Sequence, residues 1–296
     1  MPDTGRLAIG SVLVGVVVLI FKALAWWMTG SVALYSDALE STVNVVTAIA
    51  ALIAIRVAAR PPDAVHPYGH AKAEYFSAVL GGVMIIVAAL LVLAEAYRAV
   101  TSPAPLELPI VGLAVSGVAT AINFGWARML SQRGRRARSP ALMAEARHLY
   151  ADIVTTAGVA LGVVLAVVTG WTILDPLVAA LVAAHILWTG SKVVRSSLSG
   201  LMDEAVAPET LATVQRIIAT EAGGALQAHD LRTRQSGPVT FIDFHLVMPD
   251  NTTVFDAHEV CDRVEAALTD AVGGARITIH VEPEHKQKRS GIDIPG

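Results

Sequence analysis

Apolar residues run along this chain in six long blocks, at about 7–27, 31–55, 74–98, 108–130, 141–168 and 173–195, with short polar stretches between them. Each approaches or exceeds the ~20 residues that carry a helix across ~30 Å of hydrocarbon, so residues 1–200 predict an all-α, six-helix transmembrane bundle. After Gly200 the pattern changes. A linker at 201–207 leads into mixed segments at 208–284 whose order is helix, strand, strand, helix, strand. Leu211, Val214, Ile217 and Ile218 mark one amphipathic helix, and Val260, Val264, Ala267 and Leu268 mark the other. Ile242, Phe244, Leu246 and Met248 alternate with Asp243, His245 and Val247, which predicts a strand with one apolar face and His245 directed away from it. Ile277, Ile279 and Val281 repeat the pattern toward the core, leaving His280 and Glu282 opposite. These elements predict a ferredoxin-like, metallochaperone-like α/β domain of three strands, and the polar tail at 285–296 predicts disorder.

Composition agrees with a membrane protein: 54% of residues are hydrophobic, 16% are charged and mean hydropathy is +0.58. The first block is too long for a signal-peptide core, so it is expected to remain as helix one. A single cysteine, Cys261, excludes an intrachain disulfide and a cysteine-rich zinc module. No G-x-x-x-x-G-K-[ST] run is present, so ATP-driven pumping has no support. Arg56, Arg60 and Lys72 flank one loop, Arg128, Arg133, Arg135, Arg136 and Arg138 fill another, and Lys192 and Arg195 follow the sixth block. The intervening loops lack Lys and Arg, which places the basic loops and both termini in the cytoplasm of a multi-pass inner-membrane protein. Lys22 and Arg98 fall near the outer ends of their blocks and read as snorkelling side chains.

Ionisable groups inside apolar spans are where chemistry is expected, because each costs at least ~2.5 kcal/mol at the helix centre. His148 and Asp152 are four residues apart in the fifth block, as are Glu40 and Asn44 in the second, so each pair shares a helix face. Together they offer four N and O ligands, a transport site for a first-row divalent metal, with an interhelical hydrogen-bond network as the alternative reading. Asp37, one turn from Glu40, either lines the ion path or bonds a neighbouring helix. Asp63, His66 and His70 surround Pro67, Tyr68 and Gly69 in a cytoplasmic loop, and they are either a zinc-type site or solvated side chains. His229, His245, His258, Asp262, His280, Glu282 and His285 crowd the soluble domain, as converging ligands or as incidental surface polarity. The run His258, Glu259, Asp262 departs from H-E-x-x-H, so a metalloprotease is weakly supported.

The stretches SVALYSDALEST, HPYGHAKAE, HLYAD, GLMDE and HDLRTRQSG, in that order, resemble the cation diffusion facilitator family of metal/proton antiporters, particularly its bacterial ferrous-iron and zinc efflux type. The resemblance spans about Leu7 to Glu284. It implies that Glu40, Asn44, His148 and Asp152 form the transport site, although the family usually has His or Asp, then Asp, where this chain has Glu40 and Asn44. That departure lowers the site's charge and makes iron(II), manganese or cobalt easier to accept beside zinc and cadmium. The resemblance also assigns Asp63, His66 and His70 to an interfacial loop site, and His229, His245, His258, Asp262, His280 and Glu282 to cytoplasmic-domain sites. Lys72 and Asp203 match its dimer charge interlock. The implied activity is non-enzymatic: secondary active export of divalent metal from the cytoplasm in exchange for protons. Metal ions serve as substrate and regulator with no organic cofactor, the protein works as a homodimer in lipid, and no nucleic-acid partner is expected. The rivals are a membrane-anchored metal sensor that dimerises without transport and a passive cation channel.

Overall fold

In this computed structural model the described residues are 2–29, 32–101, 110–171 and 173–294, and the side chains at 2, 25, 28–29, 32–37, 39–40, 110–113, 159–160, 163–164, 166–167 and 175 lie outside that description. Six long helices come first: α1 (Pro2–Thr29), α2 (Val32–Ala58), α3 (Ala73–Thr101), α4 (Ile110–Ala137), α5 (Pro140–Thr169) and α6 (Leu174–Leu201). Among the described residues, α1, α2, α3 and α6 contain windows long and apolar enough to cross a membrane.

The packing of this unit inverts the soluble pattern. Large apolar side chains such as Leu13, Leu91 and Leu181 face outward, more than 60% exposed, while the interior is rich in alanine, including Ala8, Ala48, Ala78, Ala89, Ala127 and Ala183. Small residues let helix backbones approach where lipid provides no hydrophobic drive for association. At the α3–α6 contact a Cβ on Gly190 would lie 2.9 Å from Ile85 and 3.2 Å from the Gly82 carbonyl oxygen, so only glycine fits. α5 begins on Ser139, whose hydroxyl accepts from the Leu142 amide at 3.3 Å, with Pro140 next. The buried Glu74 carboxylate at the start of α3 accepts from Ser139 Oγ and from the Ala141 amide (3.4 Å), which joins the amino-terminal ends of α3 and α5.

Two expectations for this unit need correction. Arg128 to Arg136 do not fill a loop: α4 stays helical to Ala137 and the turn is only Arg138 and Ser139. Arginine is a good helix former, and its charge is favourable near a helix carboxyl end. Arg138 (φ 49°) takes the left-handed position of a Schellman cap, with Ser139 N bonded to Gly134 O at 3.0 Å and Arg138 N to Arg135 O at 3.2 Å. Lys22 does not snorkel either. It is 2% exposed and packed inside the protein, whereas the Arg98 side chain is 77% exposed and pairs with Glu95 at 3.7 Å.

A second unit, Ser199–Gly296, contains α7 (Pro208–Glu221), β1 (Gln227–Ser236), β2 (Val239–Met248), α8 (Val254–Val272), β3 (Ala275–Pro283), a 3-10 turn at Glu284–Lys286 and β4 (Ile292–Asp293). The sheet order is β3-β2-β1-β4. β1 and β2 form an antiparallel hairpin that turns at Gly237 (φ 57°) and Pro238, while β2 and β3 run parallel across the α8 crossover. Ile242, Phe244 and Leu246 pack with Val214 and Ile218 of α7 and Val264 and Leu268 of α8, all at most 1% exposed.

The domain is therefore the expected α/β type, with three differences of detail. Val247, across the sheet from the main core face, is fully buried. Val281 is 42% exposed, because β3 is an edge strand with a neighbour on one side only. The tail is ordered where disorder was expected. The Gln227 side chain pairs with Lys288 as a peptide group would, Nε2 donating to Lys288 O (2.8 Å) and Oε1 accepting from Lys288 N (2.7 Å). Ile292 and Asp293 then add to β1, and Ile294 is buried. The Ile-Asp-Ile alternation supplies a short strand that covers the edge β1 would otherwise present.

Candidate metal centres

Asn44 on α2, Asn123 on α4, and His148 and Asp152 on α5 meet inside the helical unit, each 3–6% exposed. Asn44 Nδ2 and Asn123 Nδ2 each donate to Asp152 Oδ2 at 3.2 Å. Because a carboxylate accepts those bonds, Asn44 Oδ1 is left as an acceptor, and its 2.6 Å contact with His148 Nε2 requires the proton on Nε2. In the neutral imidazole the lone pair then sits on Nδ1. His148 Nδ1 and Asp152 Oδ1 are both buried without a hydrogen-bond partner. Buried polar atoms are rarely left orphaned, so an imidazole nitrogen and a carboxylate oxygen on one helix face fit a dehydrated divalent cation.

Asn44, read from the sequence as an oxygen ligand, has both amide ends engaged here, holding the tautomer of His148 and the rotamer of Asp152. The side chains of Asp37 and Glu40 lie outside the described residues. Asn123 was missed. Its signal is an amide in an otherwise apolar block, but its partner comes from tertiary packing of α4 on α5. The buried Glu145, one turn before His148, was missed as well.

The loop residues Asp63, His66 and His70 come together, with one ligand atom from each within 4.8 Å of the others. The Asp63 carboxylate lies 3.4 Å from His66 Nδ1 and 3.4 Å from His70 Nε2. Asp63 Oδ1 also accepts from the amides of His66 (2.6 Å) and Val65 (3.0 Å). The His66 amide bond, foremost, holds this carboxyl below the ordinary aspartate range, so it is charged and available to a cation at neutral pH. Gly69 (φ 88°) permits the turn that returns His70.

In the second unit His229, His245 and Glu282 converge from β1, β2 and β3. Glu282 Oε2 is 3.1 Å from His229 Nε2 and Oε1 is 3.2 Å from His245 Nδ1. Despite these distances, both His229 ring nitrogens, His245 Nδ1 and Glu282 Oε2 are buried without a hydrogen bond, the pattern of donor atoms facing a shared centre. Asp230 joins His229 and His245 in the same cluster and was missed by sequence reasoning. It stands at φ 52° where the β1–β2 register slips between His229 and Arg232, a bulge that re-aims its side chain. Asp230 also binds Lys288 Nζ of the tail at 2.5 Å, and that bond, foremost, holds its carboxyl below the usual range. His280 is peripheral, 3.8 Å from Glu282 Oε1 and 66% exposed. His258 and Asp262 pair with each other at 3.7 Å on the outer face of α8 and join no cluster of three among the described residues. Asp203 accepts from Arg234 Nη1 at 3.2 Å within its own unit.

Comparison with known proteins gives two adjoining matches. Residues 8–202 match the cation efflux transmembrane domain, and residues 206–284 match the cytoplasmic domain of cation efflux proteins. An uncharacterized transporter of Synechocystis sp., sll1263, is 43% identical over 88% of this chain and 84% of its own length. The cation-efflux pump FieF of Cronobacter sakazakii is 31% identical over 95% of this chain and 94% of its own. The FieF pump of Escherichia coli O1:K1 is 32% identical over 97% and 95% respectively.

Proposed function

The chain belongs to the cation efflux family, the cation diffusion facilitators, and we propose that within it this protein exports a divalent transition metal from the cytoplasm in exchange for protons, as a homodimer with both termini cytoplasmic. Family membership makes it a multi-pass membrane cation transporter rather than an enzyme, and sets aside the sensor reading. The observation that carries the finer proposal is the buried Asn44–Asn123–His148–Asp152 constellation, with one unsatisfied nitrogen and one unsatisfied oxygen on a single helix face.

His148 Nδ1 and Asp152 Oδ1 bind the metal, with Glu40 as a further carboxylate from α2 and Asp37 on its path. Asn44 and Asn123 orient the two ligands. As the helices rock, protons compete for the same atoms, because an imidazole nitrogen or a carboxylate oxygen holds either the proton or the metal, not both. Zinc, iron(II), manganese, cobalt and cadmium all suit mixed N and O ligands. Purified protein in liposomes, assayed across that panel with and without an inward proton gradient, tests the exchange. Faster metal movement with the gradient, accompanied by counterflow of protons, is expected. Metal flux indifferent to the gradient would indicate a passive channel.

The cytoplasmic cluster serves regulation, with His229, His245, Glu282 and Asp230 as ligands and His280, His258 and Asp262 peripheral. The Asp63–His66–His70 loop adds a site near the membrane, and Lys72 with Asp203 ties the dimer. At the regulatory cluster Lys288 already places a cation on Asp230, so metal and tail compete for one carboxylate. Lys288→Ala is expected to tighten zinc binding there by about two- to fivefold, the worth of a half-exposed ion pair. Titration calorimetry of the full chain reads this; unchanged or weaker binding would argue against competition. The pH sign follows from the lowered carboxyl of Asp230. The tail contact is intact at neutral pH and is lost as pH falls through that lowered value.

A further inference from the structure

The transport site adjoins an interior cavity whose lining includes Ser11 of α1, Ser41 and Asn44 of α2, Asn123 and Trp126 of α4, and Glu145 of α5. Its wall is fixed by the Trp126 indole, which donates to Ser11 Oγ at 2.9 Å. Hydroxyl, amide and carboxylate groups from four helices thus meet in a space that touches the transport site through Asn44.

Glu145 is the outlier in this lining. It is 5% exposed, yet no basic side chain pairs with it among the described residues, and its hydrogen-bond partner is the Thr47 hydroxyl. That hydroxyl also donates to the Asn44 carbonyl oxygen of its own helix at 3.0 Å, so its single proton is shared between two acceptors. A carboxylate inside a bilayer-spanning unit with half a donor for its two oxygens is costly to keep, and a glutamine would satisfy Thr47 as well. The Thr47 bond alone therefore does not require an acid at this position. Geometry offers another role. Glu145 precedes His148 by three residues on α5, a rise of about 4.5 Å along a shared face, and α5 starts from the end of the helix that bears the arginine-rich turn.

We propose that Glu145 is a second cation ligand of this cavity, a station one turn on the cytoplasmic side of His148 where divalent metal is held before it reaches His148 and Asp152. The inference rests on the export reading given above and adds a step to it. The carboxylate supplies the negative charge, and Thr47, Ser41 and the Asn123 amide oxygen supply neutral oxygens, an oxygen-rich shell that hard and borderline divalent ions accept.

The test is zinc uptake into liposomes by the full chain, with initial rate followed against zinc on the cytoplasmic face. Glu145→Gln keeps size and the Thr47 bond while removing the charge. It should raise the half-saturating zinc concentration by about tenfold or more while changing the maximal rate by no more than about threefold, and Glu145→Asp should recover most of the shift. A Glu145→Gln protein with unchanged half-saturation overturns the inference, as does one whose maximal rate falls with half-saturation fixed, the signature of a purely structural role. If Asp152→Ala is inactive and Glu145→Gln is normal, this inference alone fails. If Asp152→Ala transports normally, the export site itself is misassigned.

Discussion

Asp152→Ala is expected to abolish metal flux in liposomes, to less than about 1% of the wild-type rate, while zinc binding to the cytoplasmic unit persists. Asp152 does two things at once. Its Oδ1 is an open ligand atom, and its Oδ2 accepts from both Asn44 and Asn123. The alanine variant loses the anionic ligand and also strands two buried amides. It frees Asn44 to rotate and thereby releases the bond that fixes the tautomer of His148. Transport should fail through the site rather than the fold, so the variant should still insert, purify and bind zinc at His229, His245 and Glu282. Near-normal flux would show that α5 does not carry the metal.

Phe244→Ala is the largest expected change in stability. Phe244 is 1% exposed at the centre of β2, packed among both helices of the cytoplasmic unit. Truncation of a fully buried phenylalanine costs about 3–5 kcal/mol, a large fraction of the ~5–15 kcal/mol that holds a domain together. Hydrogen exchange of the β1 and β2 amides in the full chain should accelerate by about a hundredfold or more, with the helices of the membrane unit unaffected. Unchanged exchange in β2 would contradict the assigned core.

Much of this was legible in the sequence, because the relevant physics is local. Twenty-residue apolar blocks, the four-residue spacing of His148 and Asp152, and the alternation in Ile242, Phe244 and Leu246 each encode a helix, a shared face or a strand without reference to distant residues. What escaped depends on tertiary neighbours or on backbone detail. Asn123 gains meaning only when α4 packs on α5. Asp230 enters the cytoplasmic cluster through a bulge that no period-two pattern announces. The arginine run reads as a loop on charge alone, whereas its single glycine, Gly134, is tolerated within the helix and the helix continues until the left-handed Arg138. The tail looked disordered by composition, yet two isoleucines and one glutamine side chain suffice to dock it on β1.

The central claim is that one metal ion is held inside the bilayer by His148 and Asp152. Anomalous X-ray scattering at the zinc edge from crystals of the full chain grown with zinc tests it most directly. The account predicts a peak bonded to His148 Nδ1 and Asp152 Oδ1 at about 2.0–2.2 Å, lost in Asp152→Ala. Zinc confined to the loop and cytoplasmic clusters, with none between α2 and α5, would contradict it.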